Sequence, residues 1–131
     1  MQEPSIFTKI VRGEVPSHKL YEDEHTLAFL DIYSPVTGHT LVISKKQVEF
    51  VWDLQDDDYV AVMATVKKVA QRLREVLEVP YIGEKVVGVD VPHAHVHLIP
   101  FTDAKEFHRA GVENAEPDHE ALAALAARLA F

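Results

Sequence analysis

The stretch from Val91 to Pro100 reads VPHAHVHLIP and decides how the rest of the chain is interpreted. Successive side chains of a β-strand point to opposite faces of the sheet, so residues two apart share a face. On a strand, His93, His95 and His97 therefore form one row of imidazoles, on roughly 7 Å centres at a rise of about 3.3 Å per residue. A helix would scatter the same rings around its axis. The residues that would point from this strand into a hydrophobic core are Ala94, Val96 and Leu98.

Three titratable rings backed by apolar residues indicate a reaction site, and two alternatives stand beside that interpretation. Histidines can be ordinary surface or core residues, although three in strict alternation are hard to explain in that way. Imidazole is also the commonest metal ligand, although a catalytic zinc usually needs a third ligand from another element. The leading interpretation is nucleophilic and acid–base catalysis, because neutral imidazole is nucleophilic near neutral pH and also transfers protons.

Length, composition and charge restrict the class of protein. A chain of 131 residues predicts one domain, 1–131, that can bury a real core. The sequence has no cysteine, no apolar run of membrane-spanning length and no signal-peptide pattern, so we expect a cytoplasmic protein without disulfides. The formal net charge of −8 argues against binding nucleic acid or an anionic membrane. No cofactor is indicated.

Hydrophobic periodicity predicts short elements in an α+β order. A short helix is expected from Ile6 to Val11, with Ser5 as its cap and Gly13 as its stop. Strand-like segments are expected at 18–21, 26–32 and 39–44, and the segment 83–89 leads into the histidine strand.

Two further helices are expected, with an irregular connection before the second. A long helix begins at Asp56, and its apolar stripe up to Leu77 follows the 3.6-residue period of a helix that packs on a core. Pro80 ends this element. Residues 101–116 are expected to be irregular, and 117–131 to be an Ala- and Leu-rich helix with a proline in its first turn. The polar residues of this tail that we expect at the surface are His108, Arg109 and His119.

The chain resembles the histidine triad (HIT) superfamily, in particular its small nucleotide-binding hydrolase branch. The family signature is His-φ-His-φ-His-φ-φ, with φ apolar, and residues 93–99 fit it at every position. Three further blocks look like family blocks in family order: SIFTKI at 5–10, LAFLDI at 27–32 and GHTLVISKK at 38–46. The resemblance covers about 5–100, and 101–131 is a divergent tail.

The resemblance implies a fold and an activity. The fold would be a five-stranded antiparallel sheet with one long helix and short terminal helices, pairing into a homodimer around the long helix. The activity would be that of a nucleotide hydrolase or nucleotidyl transferase, which cleaves nucleoside phosphoramidates or related phosphoesters of purine nucleotides through a nucleotidyl-histidine. The alternatives are a dinucleoside polyphosphate hydrolase with the same intermediate, and a non-catalytic nucleotide-binding regulatory module.

The resemblance also implies roles for individual residues. His95 would attack the α-phosphorus, and His97 would assist departure of the leaving group. His93 would orient the nucleophile, partly through its backbone carbonyl, and His39 would join them at the phosphate. Asp31 would hold the ribose hydroxyls, a task that suits an acceptor with two oxygens. The residues that would form the apolar walls around the base are Ile6, Phe7, Ile10, Phe29, Ile32 and Leu41.

Two departures from the family pattern affect the expected site. Many bacterial relatives have cysteines at the positions of Ser5 and Thr8 and a histidine at that of Gln47, and these bind a structural zinc together with the first triad histidine. All three are replaced here, so we predict no metal. The loop 81–90 looks shorter than in relatives, and Val89 replaces a glutamine that contacts phosphate, which leaves the phosphate contacts and the leaving group open.

Overall fold

The computed structural model describes residues 2–131, which form a five-stranded antiparallel sheet with helices on both faces. The strands lie in the order β1-β2-β3-β5-β4. Their bounds are β1 Lys19–Glu22, β2 Thr26–Leu30, β3 Thr40–Ser44, β4 Tyr81–Lys85 and β5 His95–Phe101. The helices are α1 Ile6–Val11, α2 Asp56–Leu77, α3 Ala104–Arg109 and α4 His119–Leu129, with a 3₁₀ turn at Val51–Asp53. The α+β class and the five-stranded sheet are therefore confirmed.

The two faces of the sheet have separate hydrophobic cores, because side chains alternate along each strand. On one face, α2 and α4 cover the sheet, and Ala94, Val96 and Leu98 are buried there as the alternation predicts. On the other face, α1 packs Phe7 and Ile10 against β2 and β3. The histidine row belongs to this second face, beside α1.

The long helix α2 has the ends that its sequence predicts. Three aspartates occupy its first turn, where the positive end of the helix dipole favours negative charge. It ends at Glu78, which has left-handed backbone angles (φ 54°, ψ 38°), shortly before Pro80. The helix buries one stripe on the sheet through Val62, Val66, Val69 and Leu73. No helix among residues 2–131 combines the length and the apolar character that crossing a bilayer requires.

Three details differ from the sequence predictions. Strand β5 starts at His95, so His93 lies just before the strand and not in it. The segment 101–116 is not wholly irregular, because a capping box between Asp103 and Glu106 starts helix α3. Helix α4 begins at His119 and is capped by the Asp118 side chain, which places the proline before the cap and not in the first turn.

The end of α4 is fixed by a side chain from α2. The guanidinium of Arg72 donates from Nε to the carbonyl of Leu129 (3.0 Å) and from Nη2 to those of Arg128 and Ala130 (3.2 Å each). These are the carbonyls that a helix end leaves without partners, and a cation there also complements the helix dipole. The last backbone amide, that of Phe131, donates to a carbonyl of β1 (3.0 Å).

Candidate active site

A cavity of about 460 Å³ lies on the histidine face of the sheet, beside α1. Its lining includes His39 before β3, His95 and His97 on β5, and Asp31 after β2. The six apolar residues expected around a base all line the same cavity: Ile6, Phe7, Ile10, Phe29, Ile32 and Leu41. The structure therefore brings together every predicted site residue except His93, which lies behind the cavity wall. The volume falls within the range of small-molecule sites.

His95 is oriented by the backbone of the residue two positions before it. Its Nδ1 lies 2.6 Å from the carbonyl oxygen of His93. A carbonyl oxygen only accepts, so Nδ1 carries the proton in this bond, and the neutral ring keeps its lone pair on Nε2. The ring also packs edge-on against Phe7, with centroids 5.1 Å apart. The bond therefore fixes both the tautomer and the direction of the ring that lines the cavity.

His93 is itself held from both ring nitrogens and is fully buried. Its Nε2 donates to the carbonyl of Ser44 at the end of β3 (2.6 Å), so Nδ1 accepts from the hydroxyl of Ser5 (2.7 Å). Burial lowers the pKa of His93, and the charge of His95 adds to this shift. His93 is therefore a neutral residue that connects the start of α1, the end of β3 and His95 through hydrogen bonds.

Ser5, Thr8 and Gln47, the positions at which the family resemblance implies zinc ligands in relatives, lie together beside His93. Ser5 bonds to the imidazole, Thr8 Oγ1 donates to Gln47 Oε1 (2.6 Å), and the backbone amide of Ser5 donates to the same amide oxygen (2.8 Å). These donors are two neutral hydroxyls and a neutral amide, and both nitrogens of the histidine are already bonded. Such a set does not fit zinc, which takes thiolate, imidazole or carboxylate ligands.

A pair of histidines, His39 and His97, lies beside His95. His39 Nε2 is 2.9 Å from His97 Nδ1, and 3.9 Å from Oδ2 of Asp31. Burial lowers the pKa of His97 to about 3, and the charges of His39, His95 and Lys85 add to this shift. Burial likewise lowers the pKa of His39, against an opposing effect of Asp31. Both rings are therefore neutral near pH 7.

The same three side chains also satisfy the geometry of a metal site. One ligand atom from each of Asp31, His39 and His97 lies within 4.8 Å of the others. The arrangement is thus compatible with two uses, a divalent cation or the phosphate and ribose of a nucleotide. A chelator separates them experimentally.

The divergent tail supplies part of the cavity that the sequence analysis did not assign. Gly111, Glu113 and Asn114 line it. The backbone amide of Ala115 donates to the carbonyl of Tyr33 (2.7 Å), which fixes the tail beside the loop after β2. The sequence signal that could have located the preceding helix is the Asp-x-x-Glu capping box, whereas its position over the cavity depends on long-range packing. As predicted, His108, Arg109 and His119 are exposed.

A neighbouring cleft of about 510 Å³ lies between α4 and the loop before β3. It shares Asp31 and His39 with the first cavity, but neither His95 nor His97 lines it. Since the nucleophile candidate opens only to the first cavity, we place the reaction there.

Fold and site together define a small α+β protein in which two histidines of β5, the histidine just before β3 and a carboxylate converge on one cavity. A family model described as HIT domain matches residues 12–104. The chain belongs to the histidine triad family.

Its relatives include proteins of bacteria and yeasts. "Protein hit" of Bacillus subtilis is 43% identical over 104 residues, which are 75% of this chain and 71% of that protein. The adenosine 5'-monophosphoramidase of Saccharomyces cerevisiae is 34% identical over 121 residues, 92% of this chain and 77% of that protein. The crystal structure of a Hit-like protein from Bartonella henselae, described as involved in cell-cycle regulation, has a TM-score of 0.84 at 30% identity. That match covers 98% of this chain and 96% of the other.

Proposed function

We propose that this chain hydrolyses nucleoside phosphoramidates, or related nucleoside phosphoesters, and releases the nucleoside monophosphate. The observation that carries the proposal is the 2.6 Å bond from His95 Nδ1 to the carbonyl of His93. It leaves a lone pair on Nε2 of a ring that lines the cavity, which is the requirement for a histidine nucleophile. The naming of two yeast relatives as adenosine 5'-monophosphoramidases supports the same reaction class.

The reaction has two steps. In the first, the Nε2 lone pair of His95 forms a bond to the α-phosphorus, and the bond from phosphorus to the leaving nitrogen or oxygen breaks. The leaving atom departs with the bonding pair and takes a proton from the cationic form of His97. In the second step, water attacks the phosphorus of the nucleotidyl-histidine and gives a proton to the now neutral His97, the P–N bond breaks with its electron pair returning to Nε2 of His95, and the monophosphate is released.

His97 needs the substrate in order to act as an acid. Its pKa of about 3 keeps it neutral near pH 7. A bound phosphate brings negative charge next to this ring, and an adjacent opposite charge favours the cationic form. Protonation of His97 is thus coupled to occupancy of the site. His39, hydrogen-bonded to Nδ1 of His97, orients the ring during this transfer.

The nucleoside half of the substrate would lie over β2 and β3. Asp31 closes that end of the cavity with two carboxylate oxygens, which suits the two ribose hydroxyls. Phe7 and Phe29 are an edge-to-face pair with centroids 5.5 Å apart, and they give the base an aromatic wall. A purine nucleotide or its conjugate is therefore the proposed ligand.

The test is release of AMP from adenosine 5'-phosphoramidate and from diadenosine polyphosphates, with and without EDTA. We expect turnover that persists in chelator and falls at least 1,000-fold in His95→Ala, while AMP binding is retained. His25→Ala, which removes an exposed imidazole from the turn before β2, is the matched control and should remain active. Binding of AMP without turnover would contradict the enzyme and favour a regulatory module. Activity abolished by chelator would favour a metal at Asp31, His39 and His97.

We also propose that the chain forms a homodimer through α2 and the neighbouring edge of the sheet. Tyr59 and Val60 of α2 are 37% and 64% exposed, and β4 is an edge strand with free backbone groups. Sedimentation equilibrium should give twice the chain mass, and Val60→Glu should shift it towards the monomer. A monomer at assay concentrations would refute this assembly.

A further inference from the structure

The sheet places Lys85 at the far side of the histidine row from the base pocket. Strand pairing aligns Phe29 of β2 with Leu41 of β3, Leu41 with His97 of β5, and His97 with Lys85 of β4. Residues aligned across a sheet share a face, and adjacent strands lie about 4.8 Å apart. The aligned residues therefore run from Phe29 in the aromatic wall, past His97, to Lys85 on the next strand.

The ammonium of Lys85 lies next to Gly111, one of the residues that line the cavity, and is not paired with a carboxylate. Among residues 2–131 no acidic group lies within salt-bridge distance of it. Its Nζ donates to the carbonyl of Ala110 over a long 3.4 Å and lies 5.3 Å from the ring centroid of Phe107. A Cβ built on Gly111, which lines the cavity, would be 3.6 Å from the same Nζ.

The surroundings of this lysine favour binding of an anion. The ammonium is a compact charge on a flexible stem, and its single long hydrogen bond is weak, so it can turn to a ligand at little cost. Its charge already reaches the site, where it contributes to lowering the pKa of both His39 and His97. Of the three acidic residues that line the cavity, Asp31 lies 3.9 Å from His39 Nε2 and Glu113 is paired with Arg109 at 3.0 Å. Asp90 is the third, and it has no ion-pair partner among the described residues.

We propose that Lys85 contacts the leaving group and selects substrates whose leaving group carries a negative charge, such as the carboxylate of an amino acid joined to the nucleotide through nitrogen. The inference rests on the proposed function, since it needs the α-phosphorus at His95 and the base over β2 and β3. With the base over β2 and β3 and the phosphate at β5, the next strand of the sheet is β4, which presents Lys85 beside His97. The lysine also supplies positive charge to a site whose phosphate loop lacks the glutamine expected near Val89.

The test compares two substrates that differ in one charge. Adenosine 5'-phosphoramidates of alanine and of alanine methyl ester have the same P–N bond, but only the first has an anionic leaving group. For the carboxylate substrate, Lys85→Met should lower kcat/KM tenfold or more, whereas for the ester the change should stay within about twofold. Lys85→Arg keeps the positive charge and should therefore restore most of the preference for the carboxylate substrate over the ester. Diadenosine tetraphosphate, whose leaving group carries phosphate charge, should lose kcat/KM in Lys85→Met as the carboxylate substrate does.

Controls separate this inference from the function on which it rests. Lys67→Met removes an equivalent charge from the exposed side of α2 and should change neither substrate. If Lys85→Met lowers both substrates equally, or neither, the leaving-group contact is refuted while the hydrolase stands. If the wild-type chain cleaves neither substrate, nor adenosine 5'-phosphoramidate, the proposed function fails and the inference fails with it.

Discussion

Ser5 contributes one hydroxyl group to two separate structures. It accepts from the backbone amide of Thr8 (3.0 Å) as the cap of α1, and it donates to Nδ1 of His93 (2.7 Å). The first contact starts the helix that lines the cavity, and the second holds the ring of His93, the residue whose carbonyl orients His95. A single small residue thus connects the fold of the N-terminus to the chemistry of the nucleophile.

Replacing Ser5 by alanine should therefore affect both stability and turnover. Loss of a helix cap costs about 0.5–2 kcal/mol, and Nδ1 of His93, a buried nitrogen, would keep only the more distant hydroxyl of Thr8 at 3.3 Å. We expect Ser5→Ala to lower the free energy of unfolding by about 2 kcal/mol and kcat severalfold, as measured by urea unfolding and AMP release. Asp118→Ala removes only the cap of α4 and is the matched control. An equal loss of kcat in both variants would exclude a positioning role for Ser5.

At this scale the sequence predicted which residues meet, and the family resemblance implied the contact between the His93 carbonyl and His95, but not the bonds that hold the His93 ring. The alternation of three histidines indicated a shared face, and the family blocks named the residues around the cavity, which the structure does bring together. It could not indicate that His93 leaves the strand, because that depends on a carbonyl of β3 and a hydroxyl of α1 being available to its ring. The roles assigned to these residues remain predictions.

The position of helix α3 depends on Gly83 of β4, because a glycine leaves space above the strand. A Cβ on Gly83 of β4 would lie 2.2 Å from Cε1 and 2.5 Å from Cδ1 of Phe107, so the ring occupies the space that glycine leaves over the strand. Phe107 and Ala110 pack with Val36 and Ile99 in a small core of their own. The position of α3, and with it the tail at the cavity, follows from this close approach.

Gly83→Ala should destabilise the chain by about 1–3 kcal/mol, the usual cost of overpacking. Adding Phe107→Ala removes the clash, so the double variant should be more stable than the sum of the two single effects predicts. Urea unfolding of the wild type and the three variants measures this coupling. Strict additivity would show that the ring moves away freely.

The elements differ in how well local sequence predicts them. Helix α2 is long, periodic and bounded by aspartates and a proline, so its bounds follow from its own residues. Helix α3 has six residues and no buried stripe of its own. Only its capping box is a local signal, and its orientation comes from the glycine of β4, far away in the sequence. The position of Lys85 also could not be predicted from its local sequence, because its pairing with His97 depends on the register between β4 and β5.

For the whole molecule, the buried histidines make stability depend on pH. The pKa of His97 falls from its usual 6.5 to about 3 on folding, and those of His39 and His93 are also lowered. Between pH 6.5 and 3 the unfolded chain therefore binds more protons than the native one. The contribution of these neutral, buried histidines to the free energy of unfolding is fully present above about pH 6.5, and it is lost as the pH falls through this window.

The contribution of His97 to this pH dependence can be isolated by comparing how steeply the free energy of unfolding changes with pH in the wild type and in histidine variants. One histidine contributes at most about 1.4 kcal/mol per pH unit, so His97 accounts for up to about 2 kcal/mol between pH 6.5 and 5. The fall in unfolding free energy over this interval should be smaller in His97→Gln than in the wild type, whereas His108→Gln, at an exposed position of α3, should keep the wild-type slope. Identical slopes in all three proteins would show that His97 does not titrate differently on folding.

The contacts of Arg72 have a practical consequence for how the protein can be attached to other things. Because the guanidinium holds three carbonyls at the end of α4, and the amide of Phe131 donates to a carbonyl of β1, residues 128–131 lie on the α2 face of the sheet, opposite the histidine cavity. A fluorophore, surface linker or fused domain joined after Phe131 would leave the cavity open. The N-terminal side offers no such freedom, since Ser5 is already part of the site.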